Sequence, residues 1–225
     1  MNLLSRLPKS ARIIAALSSL VLPCLADSVI SFRSVCFDPS QAAAPEFQLA
    51  SGEVREAVRI PKNDIGGPFK ATLRDDSMID FFATAGGEKP AFSVKIPAEG
   101  RERLLVIIVP NGQGHQGSAV SLPASGFDGG ATFAFNLCRS ELAVRQGEGQ
   151  PERLAPGAHR LLPLPTGLKD DMVPVQILSQ VDAKWTPVQS TRWAVDRRFR
   201  SYLFLFQSAK GKVTLQAIPE RVGGD

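Results

Sequence analysis

Two apolar runs dominate the hydrophobic pattern: Arg103–Val109 (RLLVIIV) and Arg200–Gln207 (RSYLFLFQ). Each is entered from an arginine, is built of Leu, Val, Ile and Phe, and is too short for a comfortable helix. Such runs fit strands buried on both faces. Around them the chain reads as further extended segments. Ser28–Phe37, two pieces within Phe47–Ile60 around Ser51-Gly52, Phe69–Leu73 and Met78–Thr84 come first. Ala91–Ile96 (AFSVKI) alternates with a period of two, the mark of a strand with one solvated face. Ser118–Leu122 reads as the hairpin partner of the first long run. Thr132–Leu137, Leu142–Arg145, His159–Leu164 and Met172–Leu178 follow, then two poorer strands, Trp185–Gln189 and Arg192–Val195, split by Pro187, and finally Lys212–Ile218. Beyond the N-terminal segment no stretch sustains a 3.6-residue apolar period.

The pattern therefore predicts an all-β protein, and three similarities suggest that it is built twice. Phe32–Cys36 resembles Ala134–Cys138 at an offset of 102, Leu73–Asp76 matches Leu168–Asp171 at 95, and the long runs align Leu104 with Tyr202 at 98. Their common order points to a divergent duplication. The expected architecture is two tandem β-sandwich (Ig-like) repeats, residues 27–127 and 128–225, divided at the turn-rich Phe127–Gly130.

Residues 1–26 stand apart. Arg6, Lys9 and Arg12 precede an apolar run from Ile13 to Leu22, then Pro23-Cys24-Leu25-Ala26, the layout of a secretory signal peptide. The run is about half the roughly 20 residues that a spanning helix requires, so no stable membrane span is expected once the signal is cleaved. Lipidation at Cys24 is the lesser alternative, because Pro23 occupies a position where a small residue is usual. The protein is then expected to be exported, to a periplasmic or extracellular destination.

Removing the leader changes the charge. The whole chain is formally +4, but residues 1–26 carry three of the 26 Lys and Arg and no acid, leaving 23 bases against 22 acids, or +1. A basic groove for nucleic acid loses its compositional support, and nucleic acid is not an expected partner. Cys36 and Cys138 remain as the only thiols, and their pairing is open. Export permits a bridge, yet equivalent positions in two repeats could join only across the interface between them.

Candidate chemistry is sparse. Gly112, Gly114 and Gly117 satisfy GxGxxG after an apolar strand, but a dinucleotide site needs a helix next, and Ser118–Pro123 is short, β-like and ended by proline. Asp75-Asp76 and Asp170-Asp171 read as turn residues, since neighbours on a strand face opposite ways. His115 and His159 are the only histidines, and no HExxH, CxxC, GxSxG or DxDxDG occurs. Neither a cofactor nor a metal nor a catalytic residue is expected. What stands out is a segment holding both tryptophans and the only tyrosine among several cations, from which Trp185, Trp193, Arg197, Arg198 and Arg200 are candidate ligand-binding residues. Aromatic rings supply contact area and guanidinium pairs with carboxylate or phosphate. The same residues read structurally as two core tryptophans and a charged edge that discourages aggregation.

The expected function is that of an exported, non-enzymatic binding or structural protein of the cell envelope, its partner an unidentified envelope polymer or protein. The alternative is an envelope hydrolase with dispersed catalytic residues. In size and layout alone, a leader and two sandwiches are similar to periplasmic pilus-assembly chaperones. That family's anchoring Arg and Lys and its long alternating strand have no match here.

Overall fold

The computed structural model describes residues 28–38, 43–112, 114–162, 164, 171–208 and 210–223. The leader expected over residues 1–26, with Cys24, lies outside the described residues, as do Leu168, Lys169 and Asp170 of the second Asp-pair motif. The described chain is all β, with one short 3₁₀ turn at Arg101–Arg103. No helix among the described residues is long and apolar enough to cross a membrane.

Sixteen strands among the described residues form four four-stranded sheets. The first inner sheet contains β1 (Ser28–Cys36), β4 (Gly66–Leu73), β7 (Leu104–Asn111) and β8 (Gly114–Ser121), in the order β4-β1-β7-β8. Its outer partner contains β2 (Glu46–Ser51), β3 (Val54–Arg59), β5 (Met78–Ala83) and β6 (Phe92–Lys95), ordered β3-β2-β5-β6. The second inner sheet is β12-β9-β15-β16, from β9 (Thr132–Asn136), β12 (His159–Leu162), β15 (Phe199–Gln207) and β16 (Val213–Arg221). The second outer sheet is β11-β10-β13-β14, from β10 (Leu142–Gln146), β11 (Glu152–Leu154), β13 (Met172–Val181) and β14 (Lys184–Ala194).

Each order in the second half is the corresponding first-half order with eight added. The parallel pairing of β1 with β7 recurs as β9 with β15, while every other pairing between these strands is antiparallel. In an immunoglobulin domain the first strand shares a sheet with the second, fifth and fourth. Here it shares one with the fourth, seventh and eighth, so the likeness is to layered β architecture and not to that strand order.

The buried side chains sort into three cores that explain the two apolar runs. Leu104, Val106 and Ile108 of β7 point into a core shared with Leu49, Ile79 and Phe81 of the first outer sheet. Leu105 and Ile107, on the other face of the same strand, pack against Phe133, Phe135, Tyr202 and Phe204 of the second inner sheet. Leu203 and Leu205 of β15 turn the other way, toward Val144, Val175 and Ile177. The layers thus run outer, inner, inner, outer. Both inner sheets bury both faces, which is why their central strands are apolar at successive positions. Phe127, in the expected linker, is 1% exposed within the middle core, so the crossover between the halves is itself packed.

Cys36 lies in the first core and Cys138 in the third, both as free thiols. Burial pushes the Cys36 thiol up to about 11, helped by Asp38 and opposed by Lys62, and burial also raises Cys138. Buried polar groups are matched by partners. Asn136, fully buried at the end of β9, donates from Nδ2 to the carbonyls of Ser140 and Leu154 at 2.9 Å each and accepts the Cys138 amide at 2.9 Å. That arrangement satisfies an amide that would otherwise be costly to bury.

Candidate functional site

The five residues singled out from the sequence lie on β14, on the turn that follows it, and on β15. β13 and β14 form a hairpin whose two loop residues, Asp182 and Ala183, both have positive φ, 49° and 62°. A two-residue loop of that kind matches the twist of the strands it joins. The strand expected to break at Pro187 instead continues from Lys184 to Ala194. Pro187 pairs with Leu178 and Gln189 with Ile177, which leaves Val188 as an extra residue in a β-bulge, 45% exposed. β14 is an edge strand of its sheet, where a residue lacking an N–H is tolerated.

The bulge decides which way each tryptophan faces. Trp193 lies opposite Val173, and Trp185 lies opposite Gln180. Val173 points into the third core, and Gln180, seven positions along an uninterrupted β13, points to the other side of the sheet. The two rings therefore occupy opposite faces. Trp193 is half-buried and packs against the core. Trp185 is half-buried on the outer face, with the Arg153 guanidinium 5.3 Å from its ring centre.

The arginines do not gather around either ring. Arg197 is exposed, and its carbonyl sits where a Cβ on Gly129 would stand, at 1.7 Å. Arg198 is exposed and forks onto Asp196, with Nη2 to Oδ2 at 2.6 Å. These hydrogen bonds hold the Asp196 carboxyl down to about 2. Arg200 faces away from the tryptophans and pairs with Glu220 at 2.6 Å, at the rim of the middle core. The structure thus brings Trp193 and the 196–198 turn near one another and leaves Trp185 and Arg200 elsewhere.

Trp193 lines a cleft of ≈ 360 Å³ between the second inner and second outer sheets. Val173, Leu164 and Phe199 add apolar walls, and Thr132, Ser201 and Gln146 add hydroxyl and amide groups. Gly130, at φ 88°, leaves room there: a Cβ would approach Leu164 Cδ2 to 3.0 Å. Gly117 of β8 sits so near β6 that a Cβ would lie 2.5 Å from Val94 Cγ2. By register Gly117 lies opposite Ile108, as Val213 lies opposite Gln207, so the larger Val213 side chain, packed on the third core, occupies the corresponding place.

The cleft has the size and mixed lining of a small-ligand site, but its chemistry is that of contact. Its titratable lining residues among those described are Arg192 and Asp196, and a carboxyl held near 2 cannot carry a proton at neutral pH. His115 on β8 lies edge-on to Phe47 at 5.3 Å. His159 is exposed at one side, while Phe133 at 5.3 Å and Phe135 at 6.1 Å cover its ring and burial lowers its pKa. Neither histidine makes a hydrogen bond or ion pair with a carboxylate among the described residues. Among the same residues, no group of three or more His, Cys, Asp or Glu is placed to hold a metal ion. Gly112, Gly114 and Gly117 belong to the β7–β8 hairpin, with Gly112 at φ 49° in its turn, and no helix follows them. No protein-family model and no curated protein sequence matches the chain.

Proposed function

We propose that this is an exported, non-enzymatic binding or structural protein of the cell envelope, made of two tandem sandwich-type repeats, residues 27–127 and 128–225. Its ligand, a polymer or protein of the envelope, would lie in the cleft beside Trp193. The identical ordering of strands in the two halves supports the repeat. A correction of one residue supports it further. Leu104 faces an outer core, as Leu203 does, whereas Tyr202 faces the middle, so the long runs align at 99 and not at 98. With that shift Phe32 corresponds to Ala134 and Cys36 to Cys138, the offset of 102 read from the sequence, because Phe32 pairs with Leu104 and Ala134 with Leu203.

The observation that carries the binding reading is the open, largely apolar cleft with an aromatic wall and no proton-transfer pair among its described lining residues. Stacking of a sugar ring or apolar segment on Trp193 is the contact such a wall offers. The hydrolase alternative lacks a comparable observation, since neither histidine meets a carboxylate among the described residues.

In a Trp185→Phe variant the remaining tryptophan is Trp193, and a titration with cell-wall oligosaccharides and envelope polymers should shift or quench its emission saturably. An unchanged spectrum across that panel would refute the binding site. Fractionation of cells expressing the full chain, with N-terminal sequencing of the product, tests export: cleavage after Ala26 is expected, and an intact N-terminus in the cytoplasm would contradict it.

A further inference from the structure

Three arginines from separate stretches of chain converge at the rim of the middle core: Arg33 on β1, Arg103 just before β7 and Arg200 on β15. They line one cleft of ≈ 460 Å³, bounded also by Glu102 and by Gly67-Pro68 of β4. β4 carries an irregularity there: Phe32 pairs with Phe69 but Ser34 with Gly66, so two residues of β4 face Arg33 alone. Gly67, at φ 109°, fits because a Cβ would stand 3.0 Å from both the Phe32 carbonyl oxygen and the Phe69 nitrogen. A bulge of this kind opens a notch beside the strand it faces.

The charges in the cleft do not balance. Glu220 of β16 receives Arg33 on one carboxylate oxygen and Arg200 on the other, and also accepts the Tyr202 hydroxyl at 2.7 Å. Its side chain is 11% exposed, against 16% for Arg200 and 33% for Arg33. This triad ties β1 to β15 and β16 and needs two arginines to do so. Arg103 is not part of it; its guanidinium donates to the neutral carbonyl of Pro123. Burial raises the Tyr202 hydroxyl pKa, and Arg200, Arg33 and Arg103 each pull it back, so all three guanidinium groups act on one phenol. Glu102, which is exposed, makes no ion pair among the described residues. Among the same residues, three cations therefore share two carboxylates, of which only one is bound.

We infer that this cleft, separate from the one beside Trp193, binds an anionic group, a carboxylate or a phosphate, received by Arg103 with the exposed side of Arg33. A guanidinium fork offers two parallel donors to either oxyanion, and a half-buried position weakens the screening that surface charges suffer. Arg103, which meets a neutral carbonyl and no carboxylate among the described residues, is what distinguishes a receptor from a completed internal ion pair.

The test is thermal unfolding and calorimetric titration of the full protein with inorganic phosphate and, separately, with citrate, each against chloride at matched ionic strength. Saturable stabilisation by either anion is expected, and the anion that acts identifies the source. Arg103→Gln, with circular dichroism confirming the fold, should weaken binding about tenfold or more, the loss of a charge-assisted contact. Glu102→Gln, a surface change with no ion-pair partner to lose among the described residues, should tighten it. The inference is overturned if neither anion exceeds chloride, if Arg103→Gln binds as the parent does, or if Glu102→Gln gives no gain.

Discussion

Phe204 joins the two inner sheets, and its replacement by alanine probes whether the halves unfold together. The ring is fully buried, stacks on Phe37 at 4.7 Å between centres, and stacks again on Phe135 at 5.0 Å. Truncating a phenylalanine so placed costs about 3–5 kcal/mol, of which the paired rings account for about 0.5–1.5 beyond area alone. Against a total stability of about 5–15 kcal/mol this is a large fraction. With a urea slope of about 2–3 kcal/mol per molar it lowers the midpoint by roughly 1 to 2.5 M. The assay is thiol labelling across a urea series on residues 27–225, where Cys36 reports the first core and Cys138 the third. Both thiols should become reactive at one midpoint, and Phe204→Ala should move both by the same amount. If it moves Cys138 and leaves Cys36 in place, the middle core does not couple the halves and the reasoning fails.

Three further expectations follow from single contacts. Gly129→Ala places a Cβ on the Arg197 carbonyl oxygen, backbone against backbone; a loss of about 1–3 kcal/mol is expected in chemical denaturation, and an unchanged midpoint would show that the 197–199 turn shifts freely. Glu220→Gln leaves Arg33 and Arg200 without their shared carboxylate, which should cost about 3–5 kcal/mol if the charges stay buried, again read from the denaturation midpoint. Cys36 has a folded pKa of about 11 against an ordinary 9.0. The folded state holds the thiol proton more tightly, so the stabilisation is complete below about pH 9 and is lost as pH rises toward 11. Cys36→Ser should flatten that decline relative to the parent, and an identical pH profile would contradict the assignment.

The parts of the fold legible in the sequence were those set by local pattern. RLLVIIV and RSYLFLFQ read as doubly buried strands because apolar residues at successive positions exclude a solvated face, and β7 and β15 occupy that place. The Ser51-Gly52 and Pro110–Gly112 turns were legible from residues that tolerate positive φ, as Gly52 and Gly112 do. Features that depend on partners far along the chain were not. The order of strands within a sheet follows from long-range pairing, and the Ig-like expectation did not anticipate β1 beside β7. On the proposed repeat, an offset of 98 is one residue short of the register in which Leu104 and Leu203 both face an outer core, and a one-residue slip exchanges the two faces of a strand.

The candidate site was harder to read for a similar reason. Trp185 and Trp193 are eight residues apart, an even spacing that implies a common face, and only the bulge at Val188 separates them. Pro187 marks that irregularity, although by local pattern alone it signals a break. By position Arg200 is a companion of Arg197 and Arg198, but it pairs with Glu220 of β16, which also receives Arg33 of β1, on strands at opposite ends of the described residues. No local spacing announces such a triad. Arg103, the residue on which the anion cleft rests, carried no signal beyond standing at the head of an apolar run.

Native-state hydrogen exchange is the most direct measurement of whether the inner sheets bury both faces in one cooperative structure. Amides of Leu104–Ile108 and of Tyr202–Leu205 should be the slowest in the protein, opening together at the free energy of global unfolding, while those of the exposed edge strand Val54–Arg59 exchange well before them. Exchange of one central strand at a clearly lower free energy than the other, or protection in the edge strand equal to both, would contradict the four-layer arrangement.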